Sequence, residues 1–105
     1  MIVVSVMYPN TEGCTFDMDY YRDTHMPLVR KLIGSELKGL RAEKGLGGPA
    51  PGAPAQYVAM GHLMFDSVES AGKALQAHAP VLMSDIPNFT NVQPMIQLSE
   101  VTLDS

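Results

Sequence analysis

The sequence is short of the residues that cross-link small proteins or bind polyanions. Of its 105 residues one is cysteine, none is tryptophan, and only 17% are charged. The single cysteine, Cys14, excludes a disulfide framework and a four-cysteine zinc site. Seven basic residues against eleven acidic ones give a net charge of −4, so we expect no nucleic-acid partner.

Long apolar runs are also missing. No run approaches the roughly 20 residues of a membrane span, and residues 1–8 lack the basic start of a signal peptide. We therefore expect a cytoplasmic protein with no membrane partner. Apolar residues are nevertheless abundant, at 46% of the chain, which is enough for the core of a single domain spanning residues 1–105.

Four strand-like segments are separated by two helical ones and a loop. Strands are predicted at residues 2–8, 36–46, 57–65 and 92–103. Between the second and third strands, residues 45–56 hold four glycines and three prolines, which indicates an unstructured hairpin connection or a lid over a pocket. Pro94 near the start of the last strand indicates an edge position.

The first helix is predicted from Asp17, its N-cap, to about Ile33, with Gly34 just past its end. Phe16 and Tyr21 occupy the positions of a hydrophobic staple. Pro27 lies inside this helix and is expected to kink it or split it in two.

The second helix is predicted to follow Asp66, in a capping box with Glu69, and to run to about Ala79. Pro80 is expected to end it or to start a short piece that reaches Ile86. The resulting order β-α-β-β-α-β predicts an α+β fold, the ferredoxin-like plait, in which an antiparallel sheet carries both helices on one face. Strands one and three lie at the centre of such a sheet.

The two central strands are apolar on both faces, which is unusual for a sheet with one face in water. In strand one, Val3, Ser5 and Met7 face one way and Ile2, Val4 and Val6 the other. In strand three, Val58, Met60 and Met64 lie opposite Ala59, Leu63 and Phe65. Because two helices cover only one face, we expect the other to pack on a second copy of the chain. The predicted partner is thus a second copy of the chain, and the two copies form a homodimer through their sheet faces.

His25 is the most unusual residue of the first helix. At 100° per residue it falls in the middle of an apolar stripe formed by Met18, Tyr21, Leu28, Val29 and Leu32. A group that titrates near neutral pH inside an apolar wall is a candidate general acid or base. The alternative is a buried histidine that is simply hydrogen-bonded to a nearby carbonyl or tyrosine.

Residues 16–28, Phe-Asp-Met-Asp-Tyr-Tyr-Arg-Asp-Thr-His-Met-Pro-Leu, resemble the helix-one signature of the EthD family, which is named for ethyl tert-butyl ether degradation. The stretch 84–90 is similar to the family's segment before the last strand. The resemblance implies a dimeric α/β barrel, formed when two plaits join their sheets. It also implies a role in a pathway of oxidative degradation, with a hydrophobic small molecule bound between the sheet and the helices.

On this basis His25 is the candidate catalytic acid or base, and Tyr21 is a second candidate catalytic residue that donates a hydrogen bond. Further residues are predicted to contact substrate: Tyr8, Met18, Leu28, His62 and Asp85. His62 belongs either beside His25 or at the dimer interface, since strand alternation does not say which face meets the helices. We expect Asp85 to cap a turn, with a hydrogen bond to a histidine as the alternative.

No metal ligand set and no cofactor are expected. Asp23 and His25 diverge by about 200° on a helix, and no His-x-x-x-His or cysteine pair exists. Three functional hypotheses remain open. In the first, the chain is an enzyme that performs proton transfer or cofactor-independent, monooxygenase-like oxygenation. In the second, it is a non-catalytic protein that carries a hydrophobic intermediate. In the third, it is a haem protein with His25 as axial ligand.

Overall fold

Four antiparallel strands form one sheet in the computed structural model, which describes all 105 residues. The strands are β1 (Ile2–Pro9), β2 (Gly39–Lys44), β3 (Tyr57–Phe65) and β4 (Met95–Glu100). They lie in the order β2-β3-β1-β4, with all neighbours antiparallel. The predicted α+β plait, with strands one and three central, is therefore confirmed.

The first helical segment, residues 18–33, is continuous but not uniform. It consists of α1 (Met18–Tyr20), a π-helical turn (Tyr21–His25) and α2 (Met26–Ile33). Asp17 caps its start, because the carboxylate accepts a hydrogen bond from the backbone N–H of Tyr20 at 3.1 Å. Gly34 follows its end with a φ of 72°, which a glycine adopts without strain. Both predicted ends are confirmed.

The disturbance predicted at Pro27 takes the form of the π-helical turn. The backbone N–H of Met26 donates to the carbonyl of Tyr21, five residues back instead of four. The wider turn lies just before Pro27, whose ring would collide with the carbonyl four residues earlier in a regular α-helix. The extra residue also shifts the buried stripe, so that Met26 and Ile33 are buried while Leu28 is only partly so.

The second helix departs from both predictions made for it. Helix α3 (Val68–Asp85) runs through Pro80 without a break. Pro80 and Gln76 are both exposed, so the carbonyl that loses its intrahelical partner is accessible to water. The N-cap is Ser67, whose hydroxyl accepts from the N–H of Ser70 at 3.0 Å. The cap predicted at Asp66 is therefore one residue too early.

The helices cover one face of the sheet and leave the other bare. Side chains on the covered face are largely buried, with the core built from residues such as Val4, Tyr8, Ala59, Leu63 and Phe65. The bare face presents Val3, Met7 and Met64, which are only partly buried. The molecule is accordingly a slab of 39 × 34 × 19 Å. No helix has both the length and the hydropathy needed to cross a membrane.

Two strands are shorter than predicted, and the glycine- and proline-rich connection is more regular. In place of 36–46 and 92–103, the strands span 39–44 and 95–100. β4 pairs with β1 alone, so its edge position is confirmed. The connection extends the β2–β3 hairpin through backbone hydrogen bonds from Gly45 to Val58 and from Gly48 to Ala53, each 2.9 Å long. It is therefore not unstructured.

Candidate active site

A cavity of about 60 Å³ lies between the covered face of the sheet and the helices, and it opens to solvent beside the exposed side chains of Met83 and Ile96. Twelve of its thirteen lining residues are hydrophobic, and His25 is the exception. The sheet contributes Tyr8 and Leu63, and the first helical segment contributes Tyr21 beside His25. This enclosure of a titratable ring by apolar walls places His25 where a bound molecule would meet it.

His25 and Asp85 form a hydrogen-bonded pair at the edge of the cavity. The Nδ1 atom of His25 lies 2.8 Å from Oδ2 of Asp85, and both side chains are largely buried. Asp85 is the last residue of α3, sixty positions away along the chain. The hydrogen bond to a histidine, the alternative given above for Asp85, is the one that the structure forms. No backbone cap by this side chain is present.

Three donors converge on the Asp85 carboxylate. Besides His25, the hydroxyl of Tyr20 donates to it at 2.7 Å and the side-chain amide of Asn88 at 2.9 Å. Burial on its own would raise the pKa of Asp85, but the hydrogen bonds from His25, Asn88 and Tyr20 outweigh it and hold that pKa below its ordinary value. Asp85 is therefore an ionised acceptor.

Ionised Asp85 fixes the tautomer of the neutral imidazole. A carboxylate only accepts hydrogen bonds, so the proton of neutral His25 lies on Nδ1. The other ring nitrogen, Nε2, makes no hydrogen bond to a protein group and carries the free lone pair. The ring is also held by aromatic contacts, with centroids 4.7 Å from Phe89 and 5.7 Å from Tyr21.

The segment after α3 is tied to the start of the first helical segment, which keeps the pair together. The backbone N–H of Asp17 donates to the carbonyl of Phe89 at 2.7 Å. The hydroxyl of Thr90 donates to the carbonyl of Thr15 at 2.6 Å, and Phe16 forms an isolated β-bridge with Thr90. These contacts hold the end of α3, which carries Asp85, close to the helical segment that carries His25.

Two tyrosines line the cavity beside His25. Tyr8 and Tyr21 are each 1% exposed, and their rings pack edge to face with centroids 5.6 Å apart. Burial raises the pKa of both phenols well above the ordinary value. Both groups are therefore neutral and able to donate a hydrogen bond.

The remaining residues predicted to contact substrate lie elsewhere. Met18 and Leu28 are partly buried but do not line the cavity. His62 is on the bare face of the sheet, on the far side from His25, where it bonds Ser5 at 2.9 Å and Glu43 at 3.0 Å. Of its two expected locations, the structure therefore excludes the one beside His25.

Ten of the thirteen lining residues were not predicted as members of the site, nor were two of the groups that bind the Asp85 carboxylate. Tyr20 and Asn88 hydrogen-bond the carboxylate, and Met26 lines the cavity. The spacing of Asp85 and Asn88, three residues apart, was a visible signal for their contact. Met26 had no such signal, since it enters the wall only through the extra residue of the π-helical turn.

The site does not fit a bound haem or a metal cluster. A cavity of about 60 Å³ is far below the several hundred Å³ of a typical cofactor pocket. No group of three or more His, Cys, Asp or Glu side chains is placed to hold a metal ion.

Comparisons with known proteins agree on one family and one fold. Residues 15–93 match the EthD domain, and none of the curated proteins matches the chain. An EthD-like protein from Ralstonia eutropha JMP134 is 44% identical, with 99% of this chain and 94% of that chain covered and a TM-score of 0.92.

Two more distant structures share the fold alone. An ethyl tert-butyl ether (EthD) family protein from Bacillus halodurans C-125 is 20% identical, with 97% of this chain and 99% of that chain covered and a TM-score of 0.74. HapK from Hahella chejuensis is 7% identical, with 100% of this chain and 96% of that chain covered and a TM-score of 0.59.

Proposed function

The chain belongs to the EthD family, which is associated with the degradation of small molecules, and from that premise we propose that it is an acid/base enzyme. Its substrate is a compact hydrophobic molecule held between the sheet and the helices, and His25 moves the proton. One observation carries the proposal: a histidine oriented by an ionised carboxylate lines an apolar cavity, and its Nε2 has no hydrogen-bond partner in the protein.

The roles follow from the geometry of the pair. Asp85 keeps the proton of neutral His25 on Nδ1, so Nε2 acts as the base toward a C–H or O–H group of the substrate. When Nε2 takes that proton, the imidazolium is stabilised by the same carboxylate at 2.8 Å. Asp85 is thus a positioning residue, and His25 is the catalytic one.

Proton removal is compatible with two outcomes. Return of the proton to another atom of the substrate gives isomerisation. Reaction of the resulting carbanion with dioxygen gives cofactor-independent oxygenation, in which dioxygen is the oxidant and the substrate is oxidised. Oxygen consumption that depends on His25 distinguishes the second outcome from the first.

The experiment uses a base-sensitive probe that requires no knowledge of the natural substrate. The elimination of 5-nitrobenzisoxazole begins with removal of a carbon-bound proton and yields a coloured phenolate. We expect the wild-type protein to accelerate it, and His25→Gln to lower the rate by roughly 100-fold, within the usual range for general acid–base catalysis. His78→Gln is the matched control, since His78 does not line the cavity.

Equal rates for the wild type and His25→Gln would contradict the proposal. Saturable binding of the probe with no turnover in either protein would instead support the alternative function, a non-catalytic carrier of a hydrophobic intermediate. The apolar lining of the cavity favours tight binding of such a molecule. Melting curves of each variant confirm that it is folded.

We also propose that the protein is a homodimer that joins through the bare face of its sheet. That face carries Val3, Met7, Val58, Met60 and Met64 around the polar group of Ser5, His62 and Glu43. A second copy is the occupant that matches such a surface, because a two-fold interface is self-complementary. His62 would then lie at the interface.

A further inference from the structure

The hydroxyls of Tyr8 and Tyr21 are buried donors without a partner in the protein. Neither phenol makes a hydrogen bond, although each side chain is 1% exposed. No fully enclosed side-chain nitrogen or oxygen in the chain lacks a partner, so these two hydroxyl oxygens are not completely enclosed. The space available to them is the cavity that both residues line.

The lining also restricts the charge of the ligand. No Lys, Arg, Asp or Glu side chain faces the cavity, so a carboxylate, phosphate or amine entering it would be desolvated without a counter-charge. A neutral molecule is favoured, with an apolar body and an oxygen atom that accepts hydrogen bonds from phenols.

We propose that the cavity takes a small enolisable ketone or aldehyde, and that Tyr8 and Tyr21 donate hydrogen bonds to its carbonyl oxygen. This inference rests on the proposed function, since it supplies the substrate class for the base His25. In this role the two phenols act as an oxyanion-stabilising pair, and His25, which lines the same cavity, removes the proton.

The step is balanced without an added oxidant or reductant. The C–H bond next to the carbonyl breaks, and its electron pair forms a carbon–carbon double bond. The π electrons of the carbonyl move onto oxygen, where the phenols stabilise the negative charge, and the proton goes to Nε2 of His25. Because the phenols stay protonated throughout, their hydrogen bonds strengthen as the charge develops, which is the condition for catalysis by such donors.

The test follows the exchange of the α-protons of cyclopentanone for deuterium in D2O by proton NMR. We expect the wild type to accelerate exchange, and Tyr8→Phe and Tyr21→Phe each to lower the rate at saturating ketone by roughly 10- to 100-fold. The concentration of ketone at half-saturation should change less. Tyr57→Phe is the matched control, because Tyr57 does not line the cavity.

A second measurement does not depend on turnover. Cyclopentanone labelled with ¹³C at the carbonyl should show a downfield shift of that carbon when it binds the wild type, and a smaller shift with either phenylalanine variant. Two results with the wild type alone would overturn the assignment: no binding of the ketone at high protein concentration, or binding without a shift of the carbonyl carbon. Both hold even if a variant fails to fold.

The outcomes separate this inference from the function on which it rests. Elimination of 5-nitrobenzisoxazole that depends on His25, together with ketone exchange that ignores both phenols, overturns the ligand class and leaves the base in place. Loss of His25 dependence in both reactions overturns the proposed function itself. Ketone exchange sensitive to His25 and to both tyrosines supports the two together.

Discussion

At the scale of single residues, the site depends on one carboxylate that accepts from three side chains. Asp85 joins the last turn of α3 to the first helical segment through His25 and Tyr20. Hydrogen bonds to a charged acceptor are worth about 1.5 to 3 kcal/mol each, so the same contacts that set the histidine tautomer also hold two elements together. Function and stability are coupled at this residue.

The pH dependence of stability follows from the direction of the Asp85 shift. Because its pKa is lower in the folded state than the ordinary value of about 3.9, the carboxylate contributes stability above that ordinary value. The contribution is lost as the pH falls through the folded-state value. Asp85→Asn should unfold more easily at neutral pH, by about 1 to 3 kcal/mol, and lose less stability than the wild type between about pH 5 and pH 3.

Urea denaturation across this pH range measures the difference. Asp104→Asn serves as the matched control, since Asp104 is exposed. The stability of this variant should change with pH as that of the wild type does. Parallel pH curves for the wild type and Asp85→Asn would show that the pair carries none of the acid sensitivity.

His25 and Asp85 were recognisable one by one, but their pairing was predicted only as an alternative. His25 stood out as a polar residue in an apolar stripe, and Asp85 as an acid before a proline turn. Their contact joins positions sixty residues apart and depends on how α3 lies on the sheet, which no local pattern encodes. For the same reason His62 could be assigned to a strand but not to one of the two faces.

At the scale of elements, the π-helical turn explains where the helical prediction failed. Counting at 100° per residue placed Leu28 and Leu32 in the buried stripe. One additional residue before Pro27 advances the pattern, and Met26 and Ile33 take the buried positions. The ends of the first helical segment were predictable because its caps are local, whereas the change of pitch depends on packing against the sheet.

The approach of the first helical segment to β3 leaves no room at Gly61. A Cβ atom there would overlap the hydroxyl of Tyr21, while the ring carbon beneath that hydroxyl is 3.5 Å away. Gly61→Ala should therefore destabilise the fold by about 1 to 3 kcal/mol. Tyr21→Phe removes the overlapping oxygen and should restore most of the loss.

Thermal or urea unfolding of the two single variants and the double variant forms a double-mutant cycle. Gly72→Ala is a control in α3, where an added Cβ meets no atom within 4 Å and should stabilise the helix slightly. Additive effects of Gly61→Ala and Tyr21→Phe would show that the two residues do not press on each other.

At the scale of the whole molecule, the two faces of the sheet differ, because helices pack on only one of them. The helices bury the central part of one face of the sheet, formed by β1 and β3. The other face displays partly buried apolar side chains around the polar group of Ser5, His62 and Glu43. The second copy proposed to cover the bare face calls for a direct test.

Light scattering at micromolar concentration provides that test. The wild type should have twice the mass of the 11.4 kDa chain, and Met64→Lys should shift it toward the monomer, because an unpaired ammonium would be buried at the interface. Val81→Lys, on the exposed surface of α3, should leave the mass unchanged. A wild-type mass of one chain would rule out the proposed dimer.

The slab is only 19 Å thick, and its two sides carry the two proposed surfaces, the cavity and the dimer interface. The cavity lies on the helical side, and its lining includes Met83 and Ile96, which are exposed to solvent. The face offered to a second copy is on the opposite side of the sheet. A small molecule therefore has a route in and out that crosses no subunit boundary, so its residence time should be independent of protein concentration even where the subunits dissociate.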